Sequence, residues 1–169
     1  LLAGTAAYRI GAGLVTLAVP APLHAALAGQ LPEATWMLLP HENGFISERA
    51  GGLLEGLERV TAILVGPGLG DHLCTRMFIE EILPSIKLPL VIDADGLRHA
   101  LHIKNWYAKI FAPAVLTPHP GEMSVLTGLS IDEIQNNREE IALKYAKAWG
   151  HVVVLKGAFT VIAAPDGRA

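Results

Sequence analysis

Hydrophobic residues occur along the chain in short runs, and longer segments of helical spacing separate these runs. The runs are rich in β-branched and other apolar residues and are bounded by glycine, proline or polar residues, which is typical of strands in a buried sheet. They predict strands at Val15–Val19, Ala34–Leu39, Ala62–Val65, Leu90–Ile92, Ala114–Leu116 and Val152–Leu155.

The intervening segments place apolar residues three or four positions apart, as an amphipathic helix does. They predict helices at Leu1–Ile10, Pro22–Leu31, Ile46–Leu57, Leu73–Leu83 and Asp132–Trp149. Before the last of these, Ser130 and Glu133 have the spacing of a capping box, and Gly150 stands where that helix ends. Strands that alternate with helices favour right-handed crossovers and an α/β fold with a mainly parallel sheet and helices on both faces.

The end of the chain departs from this alternation. Val152–Lys156 and Thr160–Ala164 are two apolar runs joined by the short loop Gly157–Phe159, which predicts a C-terminal β-hairpin. Because no repeat, low-complexity run or linker interrupts the chain, we predict a single domain over residues 1–169.

Composition and charge narrow the classes of function. Of the 169 residues, 51% are hydrophobic and 17% are charged, which suits a sheet buried on both faces and argues against disorder. The net charge of −3 means that no strong positive field favours the binding of nucleic acid. No apolar run approaches the roughly 20 residues that span a membrane. Cys74 is the only cysteine, so an internal disulfide and a cysteine metal cage are excluded.

The segment Thr117–Glu122, with the sequence TPHPGE, carries the strongest signal for function. It joins a predicted buried strand to a segment of helical spacing, and open α/β sheets bind ligands at such junctions. Prolines on both sides of His119 stiffen the backbone that carries its imidazole, and the glycine that follows permits close approach of a ligand. The alternative is a capped helix start, with Pro120 at the first helical position and Glu122 favoured by the helix dipole.

A glycine-rich turn, Gly66–Gly70 (GPGLG), follows the predicted strand Ala62–Val65. Glycines there allow a tight turn and expose backbone N–H groups to which an anion can bind. The turn matches neither the dinucleotide fingerprint nor the P-loop, because no Lys-Ser/Thr pair follows it. It is therefore either a ligand contact or a turn that packing alone requires.

The acidic pair Asp93 and Asp95 follows the predicted strand Leu90–Ile92. Carboxylates at the end of a buried strand are costly to desolvate unless they are paired, hydrogen-bonded or near a cation. The pair is consistent with magnesium or a hydroxyl-bearing substrate. For Asp95 we favour a structural role as the N-cap of a helix that begins near Gly96, and Asp93 is the stronger functional candidate.

The segment Lys156–Thr160 follows the last predicted parallel strand. Lys156 would place an ammonium against a phosphate, Gly157 would leave room for a nucleotide, and Thr160 offers a hydroxyl. By composition alone, a solvated lysine at the hairpin is the preferred interpretation.

The remaining histidines show no spacing typical of metal ligands, and no metal site is predicted from them. We expect surface or helix-end positions for His24, His41, His72, His99, His102 and His151, and packing roles for Trp36, Trp106 and Trp149.

Taken together, these segments resemble a known family. Their order along the chain and their spacing are similar to those found in ADP/ATP-dependent NAD(P)H-hydrate dehydratases. The segments that carry this resemblance are Ile10–Ala18, Gly66–Gly70, Val91–Leu97, Leu116–Glu122, and Val154–Gly157 with Ala164–Gly167. The resemblance covers essentially the whole chain. It implies a ribokinase-like, three-layer α/β/α sandwich with a mainly parallel sheet.

The resemblance also implies an activity. Members of this family use ADP or ATP, with Mg²⁺, to dehydrate the S epimer of hydrated NADH or NADPH; with ADP the products are NAD(P)H, AMP and phosphate. Gly68, His119 and Asp93 then match positions on the substrate side. Lys156, Gly157, Ala158, Phe159 and Thr160 match the segment that binds the adenine nucleotide.

Two family motifs would fall outside these residues: a glycine-rich segment before Leu1, and a G-T-G-D motif after Ala169 that carries the catalytic aspartate. The chain by itself is therefore expected to be inactive, and its catalytic residue is unknown. The resemblance further implies a cytoplasmic homo-oligomer, with an NAD(P)H-hydrate epimerase fused to it or working beside it. The alternatives are a ribokinase-like kinase for a vitamin precursor and a catalytically silent nucleotide-binding domain.

Overall fold

The computed structural model describes residues 1–169, apart from the side chains at positions 48, 51, 54 and 55. Its strands are β1 Thr16–Pro20, β2 Thr35–Leu39, β3 His41–Glu42, β4 Phe45–Ile46, β5 Ile63–Val65, β6 Leu90–Ile92, β7 Ala114–Leu116, β8 Val152–Leu155 and β9 Val161–Ala163. Its α-helices are α1 Leu2–Arg9, α2 Ala21–Leu27, α3 Leu73–Ile82, α4 Asp95–Ala100, α5 Pro120–Thr127, α6 Ile131–Asn136 and α7 Arg138–Trp149. Short 3₁₀ segments occur at Ala28–Gln30, Leu83–Ser85 and Trp106–Lys109, and a longer one occurs at Glu48–Arg59.

The predicted strands are confirmed, each within one residue at either end. The helix predicted over Asp132–Trp149 is instead two helices, α6 and α7, with a break at Asn137. The break has a local cause, because the Asn137 side chain donates to the carbonyl oxygen of Glu133 at 3.1 Å and its backbone leaves helical geometry. The Ser130–Glu133 capping box and the left-handed Gly150 at the helix end are both present.

The helix predicted over Ile46–Leu57 also differs. Phe45–Ile46 pairs with His41–Glu42 as a small antiparallel hairpin, and the helical segment that follows it is of the 3₁₀ type. Asn43 and Gly44 at the tip of this hairpin both have positive φ, the conformation of a two-residue hairpin turn. The tip is therefore a turn that local sequence dictates.

The central sheet has the strand order β5-β6-β7-β8-β9. The first four strands are parallel, and β9 runs antiparallel to β8 as the predicted C-terminal hairpin. Among the described residues, β1 and β2 form a separate two-stranded parallel sheet and do not extend the central one. The carboxyl ends of β5 to β8 meet at one edge of the central sheet, and the loops that carry the candidate motifs start there.

The two faces of the central sheet differ in burial. Side chains on one face, such as Ile92, Leu116 and Val153, are completely buried and form the main hydrophobic core with α3, α5 and α7. On the other face, Leu64 is 47% exposed and Ile162 is 60% exposed. Trp106 and Trp149 pack against each other in the core with ring centroids 5.3 Å apart, so their predicted packing role is confirmed. No helix in the described part of the chain has both the length and the hydropathy needed to cross a bilayer.

Candidate functional site

Four loops meet at the carboxyl ends of the parallel strands. They are Gly66–Gly70 after β5, Asp93–Gly96 after β6, Thr117–Glu122 after β7 and Lys156–Thr160 after β8. The parallel register, with Val65 beside Ile92 and Ile92 beside Leu116, brings the first three loops to the same edge. This edge is where open α/β sheets bind ligands, and the common placement expected from the sequence is what the structure contains.

The backbones of the loops after β5 and β6 are in close contact at two glycines. Gly66 has φ of +129°, and a Cβ on it would overlap the carbonyl oxygen of Asp93. A Cβ on Gly96 would lie 2.9 Å from the Cα of Gly66, which is closer than a real side chain tolerates. Only glycine permits this approach, so packing between two loops accounts for Gly66.

Asp95 joins the same two loops by a side-chain hydrogen bond that the sequence did not indicate. It is the first residue of α4, and its Oδ2 accepts a hydrogen bond of 2.9 Å from the Gly70 N–H. The N-cap position belongs to Ala94, whose helix start has no side-chain cap. The N-cap role predicted for Asp95 is therefore wrong, because its carboxylate is already occupied by the neighbouring loop.

Ala94 itself is held in an unusual conformation, with φ of +49° and ψ of −125°. A non-glycine residue in this region is strained, and such residues persist only where surrounding contacts enforce them. Asp93 and Asp95, the residues on either side of it, are both anchored by their side chains. The strained residue thus lies between two fixed carboxylates at the edge of the candidate site.

Two of the histidines expected at surface or helix-end positions, His99 in the last turn of α4 and His151 just after the end of α7, do lie at helix ends but are buried. His99 is 2% exposed, and its Nε2 lies 2.8 Å from the carbonyl oxygen of Gly70. His151 is likewise buried, with Nε2 3.0 Å from the carbonyl oxygen of Tyr107. Each imidazole is tolerated in the interior because a backbone partner satisfies it. His99 thus makes a second side-chain contact, after that of Asp95, with Gly70 at the end of the glycine-rich turn.

Gly68 lies at the exposed apex of that turn. Its φ is +74°, and a Cβ there would meet no atom within 4 Å. Unlike Gly66, it is not required by packing against a neighbouring loop. Space beside it is compatible with a ligand, and its role as a substrate contact stays a prediction.

His119 is the N-cap of α5. Its Nδ1 accepts hydrogen bonds from the backbone N–H groups of Gly121 at 3.0 Å and Glu122 at 3.2 Å, and Glu122 Oε2 accepts one from the His119 N–H at 2.8 Å. This is a capping box in which an imidazole replaces the usual hydroxyl. The capped helix start considered from the sequence is therefore present, with Pro120 as the first helical residue.

The helix cap uses only the Nδ1 atom of the imidazole. Because Nδ1 accepts hydrogen bonds, the neutral ring carries its proton on Nε2. The His119 side chain is 54% exposed, and its Nε2 lies 3.3 Å from Glu122 Oε1, which is almost buried. A structural role and a ligand contact are thus compatible for the same residue.

Lys156 connects the loops after β6, β7 and β8. Its Nζ lies 2.6 Å from Asp93 Oδ1 and 3.8 Å from Glu122 Oε2. Its backbone N–H donates to the Pro118 carbonyl oxygen at 2.9 Å, which extends the pairing of β7 with β8. Lys156 is therefore not the solvated hairpin lysine that composition favoured, because its ammonium is paired with a carboxylate of the neighbouring loop.

The ion pair changes the acidity of Asp93. Burial by itself raises the pKa of the carboxyl, but hydrogen bonds from Lys156 and Thr117, the charge of Lys156 and the Ala94 N–H outweigh it and leave the pKa below its usual value. The carboxylate is thus ionised, and Lys156 provides the pairing that offsets the cost of desolvating it.

The rest of the loop after β8, residues Lys156–Thr160, is more open. Thr160 Oγ1 donates to the Gly157 carbonyl oxygen at 3.0 Å and lies 3.3 Å from the Gly157 N–H, so the hydroxyl closes the loop on itself. Ala158 is exposed, and Phe159 is 85% exposed. The expected nucleotide contacts of these residues stay predictions. We call this segment the β8 loop below.

Two residues of the site were not identified as functional from the sequence. Glu122 was considered only as a residue suited to the helix dipole, yet it contacts both His119 and Lys156. Arg138, the first residue of α7, donates hydrogen bonds to backbone carbonyls of the β8 loop. No motif marks Arg138, because its position depends on the break between α6 and α7. Within the described residues, no group of three or more His, Cys, Asp or Glu is arranged to hold a metal ion.

Comparison with known proteins relates this chain to one family of enzymes. The sequence profile of NAD(P)H-hydrate dehydratase matches residues 1–169. The chain is 45% identical over 169 residues to the bifunctional NAD(P)H-hydrate repair enzyme of Moorella thermoacetica, covering 99% of this chain and 32% of that protein. It is 36% identical over 167 residues to the ADP-dependent (S)-NAD(P)H-hydrate dehydratase of Bacillus subtilis, covering 99% of this chain and 56% of that protein.

Solved structures agree with this assignment. The crystal structure of the ADP/ATP-dependent NAD(P)H-hydrate dehydratase from Bacillus subtilis, co-crystallised with ATP/Mg²⁺, superposes with a TM-score of 0.77 at 33% identity. It is covered over 55% of its length by 98% of this chain. A ribokinase-like superfamily protein of Enterococcus faecalis, 24% identical with a TM-score of 0.75, shares the fold.

The chain thus spans about a third to a little over half the length of the relatives it matches. The fold inferred from the sequence is confirmed as ribokinase-like, with its mainly parallel sheet and C-terminal hairpin. The profile match over every residue, and the likeness to relatives and solved structures along nearly all of the chain, lead to one conclusion. This chain belongs to the NAD(P)H-hydrate dehydratase family.

Proposed function

We propose that this chain forms the substrate and nucleotide side of an enzyme that dehydrates the S epimer of hydrated NADH or NADPH at the expense of ADP or ATP. The observation that carries the proposal is the meeting of four loops at one sheet edge, where Lys156 joins Asp93 of one loop to Glu122 of another. The relatives named above are dehydratases and repair enzymes of this substrate class.

Dehydration of the hydrated nicotinamide ring requires the C6 hydroxyl to be converted into a better leaving group. Hydroxide leaves C6 of the hydrated ring poorly, whereas phosphate leaves easily once a phosphoryl group has been transferred from ADP to the hydroxyl oxygen. The C6–O bond then breaks with help from the ring nitrogen, a proton is lost from C5, and the products are NAD(P)H, phosphate and AMP. Such a reaction depends on positioning and charge stabilisation more than on covalent catalysis by the protein.

Residues at this sheet edge would position both the hydrated dinucleotide and the adenine nucleotide. His119 would present the Nε2 edge of its half-exposed imidazole to the hydrated dinucleotide, with Glu122 Oε1 3.3 Å from that nitrogen, while its Nδ1 stays committed to the helix cap. Gly68 would let the dinucleotide lie close to the turn after β5. Lys156, between the two sides, would stabilise negative charge on a transferring phosphoryl group. Gly157, Ala158, Phe159 and Thr160 would contact the adenine nucleotide.

Magnesium would reach this site together with the nucleotide phosphates. Mg²⁺ in such sites is bound through one or two carboxylates and phosphate oxygens, not through an all-protein cage. Asp93 provides one ionised carboxylate at the correct edge, although it is paired with Lys156 here. The donor set therefore fits a cation carried by phosphates, with Asp93 as its contact.

Several features of the whole protein also belong to the proposal. Relatives described as bifunctional repair enzymes support an epimerase that is fused to the dehydratase or works beside it. We propose a homo-oligomer of single dehydratase domains, each including residues 1–169, in the cytoplasm. Gel filtration with light scattering, and limited proteolysis of the complete protein, would test the assembly and the domain boundary.

The activity is tested with the complete protein that contains this chain. The S hydrate of NADH is supplied with ADP or ATP, and the formation of NADH is followed by its absorbance while phosphate is measured separately. We expect one phosphate for each NADH and no product without nucleotide. Phosphorylation of a vitamin-precursor alcohol with no turnover of the hydrate would instead favour a kinase. Nucleotide binding with neither reaction would indicate a silent domain.

A further inference from the structure

Arg138 lies where α7 begins, and its guanidinium holds the β8 loop from several directions. Nη2 donates to the carbonyl oxygens of Leu155 at 2.8 Å and Lys156 at 3.0 Å, and Nε donates to that of Phe159 at 3.1 Å. Nη1 donates to Gln135 Oε1 at 2.6 Å, which fixes the guanidinium from the other side. A planar fork of donors can connect both ends of a loop in this way, whereas a lysine ammonium is a single point charge.

The charge of Arg138 is also distinct from that of Lys156. Among the described residues, no carboxylate forms an ion pair with Arg138, whereas Lys156 is neutralised by Asp93 at 2.6 Å. Arg138 therefore places an uncompensated positive charge directly beside the backbone of the β8 loop. Anionic ligands are attracted to such a position.

Gly157 and Arg138 depend on each other. A Cβ on Gly157 would lie 2.7 Å from Nη2 and 3.0 Å from Cζ of Arg138. The end of an arginine side chain could usually move away, but hydrogen bonds to the loop and to Gln135 hold this one in place. The glycine in the β8 loop is therefore needed because the guanidinium occupies the space of a side chain.

Two backbone donors of the loop remain unpaired in the described structure. Arg138 engages the carbonyl oxygens of Lys156 and Phe159 in the loop and of Leu155 just before it, whereas the N–H groups of Ala158 and Phe159 have no protein acceptor among the described residues. Backbone N–H groups that point out of a short loop bind anions well when the loop is held in one conformation. By binding the neighbouring carbonyl oxygens, Arg138 would hold the loop in a conformation in which the N–H groups of Ala158 and Phe159 can bind an anion.

We propose that Arg138 is the positioning residue of the nucleotide site: it fixes the β8 loop in the conformation that binds an adenine nucleotide, without contacting the nucleotide itself. This inference rests on the function proposed above and adds to it a residue outside the loop. It predicts that nucleotide affinity depends on the shape of the guanidinium and not merely on its charge.

The experiment measures ADP binding by calorimetry in the complete protein. Arg138→Met keeps the aliphatic stem and removes the donors, Arg138→Lys keeps the charge, and Lys147→Met removes an exposed cation of the same helix as a control. We expect the Kd for ADP to rise at least about tenfold in both Arg138 variants and to stay unchanged in the control. Binding of the hydrated dinucleotide should be nearly unaffected in all of them.

The outcomes separate this inference from the proposed function. ADP binding by Arg138→Lys at the unaltered affinity would overturn it, since charge alone would then suffice. If Arg138→Met does not fold, Arg138→Lys alone decides the question. If the unaltered protein binds neither ADP nor ATP, the proposed function is wrong and this inference falls with it. Normal ADP binding that is insensitive to Arg138 overturns this inference alone.

A second measurement excludes a general loss of structure. Gly157→Ala should weaken ADP binding in the unaltered background, because its methyl group meets the guanidinium. In the Arg138→Met background the same substitution should have a much smaller effect, since the obstacle is gone. Non-additivity of this kind is the signature of direct coupling. Equal effects of Gly157→Ala in both backgrounds would contradict the proposed coupling.

Discussion

The two sides of the site are held together in different ways. Residues 66–70, 93–96 and 117–122, which we call the clamped turns, are fixed by backbone packing between glycines and by the carboxylates of Asp95 and Glu122. The β8 loop is exposed and is held by Arg138 and by the hydroxyl of Thr160. Substitutions of the glycines that pack these turns together should therefore alter the fold, whereas substitutions in the exposed part of the β8 loop should alter ligand affinity; His119 and Lys156 are expected to affect both.

This difference also follows from what each side is proposed to bind. The clamped turns would set the position of the reacting ring, where an error of about 1 Å is costly to catalysis. The β8 loop would bind a nucleotide that must enter and leave in each turnover, and such segments come from the less stable parts of a protein. Lys156 is the connection between the two sides, because its backbone belongs to the loop and its ammonium pairs with Asp93.

The largest effect is expected from Gly66→Ala. The new methyl group would overlap the Asp93 carbonyl oxygen, and the backbone would also have to keep φ of +129°. We expect the free energy of unfolding to fall by at least about 3 kcal/mol, measured by chemical denaturation. Gly68→Ala is the matched control, since its Cβ would meet open space, and only the left-handed conformation should cost about 1–2 kcal/mol. Equal losses in the two variants would contradict the clamping of these turns.

Lys156→Met tests the connection between the two sides. Loss of a partly desolvated ammonium beside phosphates should raise the apparent dissociation constant for ADP by roughly ten- to hundredfold. The variant also leaves Asp93 without its partner, so stability should fall as well. Adding Asp93→Asn removes the unpaired charge and should restore stability without restoring ADP affinity. If stability and ADP affinity recovered together, Lys156 would serve the fold alone.

His119 tests whether one side chain serves both the fold and the ligand. His119→Ala removes the acceptor of the α5 cap and should lower the free energy of unfolding by about 1 kcal/mol. His119→Asn retains a capping side chain, so its unfolding midpoint should return close to the unaltered value. We expect hydrate turnover to be impaired in both variants, because neither presents an imidazole Nε2. Full turnover by His119→Asn would show that the residue is only a cap.

The sequence was informative where structure depends on local pattern. Short apolar runs sufficed to place the strands of the central sheet, and parallel topology then brought the loops after them to one edge. It was less informative where a contact joins residues distant in the chain. The partner of Asp93 is 63 positions away, and Arg138 reaches the β8 loop from a helix that begins only because Asn137 breaks the preceding one.

The same limit explains the errors at individual residues. Asp95 was expected to cap α4, yet its carboxylate binds Gly70 in the turn after β5; His99 does lie in the last turn of α4, but its partner, also Gly70, was not foreseen. His119 has the position of an N-cap, but its flanking prolines favoured a ligand role just as well. Side chains with several possible partners acquire one through tertiary packing, and that choice is not encoded in spacing along the chain.

The smallest expected effect is the acid sensitivity contributed by Asp93. Its pKa is lowered in the folded protein, so its carboxylate contributes stability that is fully present above the unfolded pKa of about 3.9 and is lost as pH falls through the lower folded value. The free energy of unfolding should therefore decrease with falling pH in this acidic window more steeply in the unaltered protein than in Asp93→Asn, which has no group to titrate there. Denaturation at a series of pH values measures the difference between the two slopes. Since Lys156 lowers this pKa through its hydrogen bond and its charge, Lys156→Met should also flatten the slope, which Lys147→Met should not do. Parallel curves for the unaltered protein and Asp93→Asn would mean that the ion pair joining the two sides contributes no measurable stability.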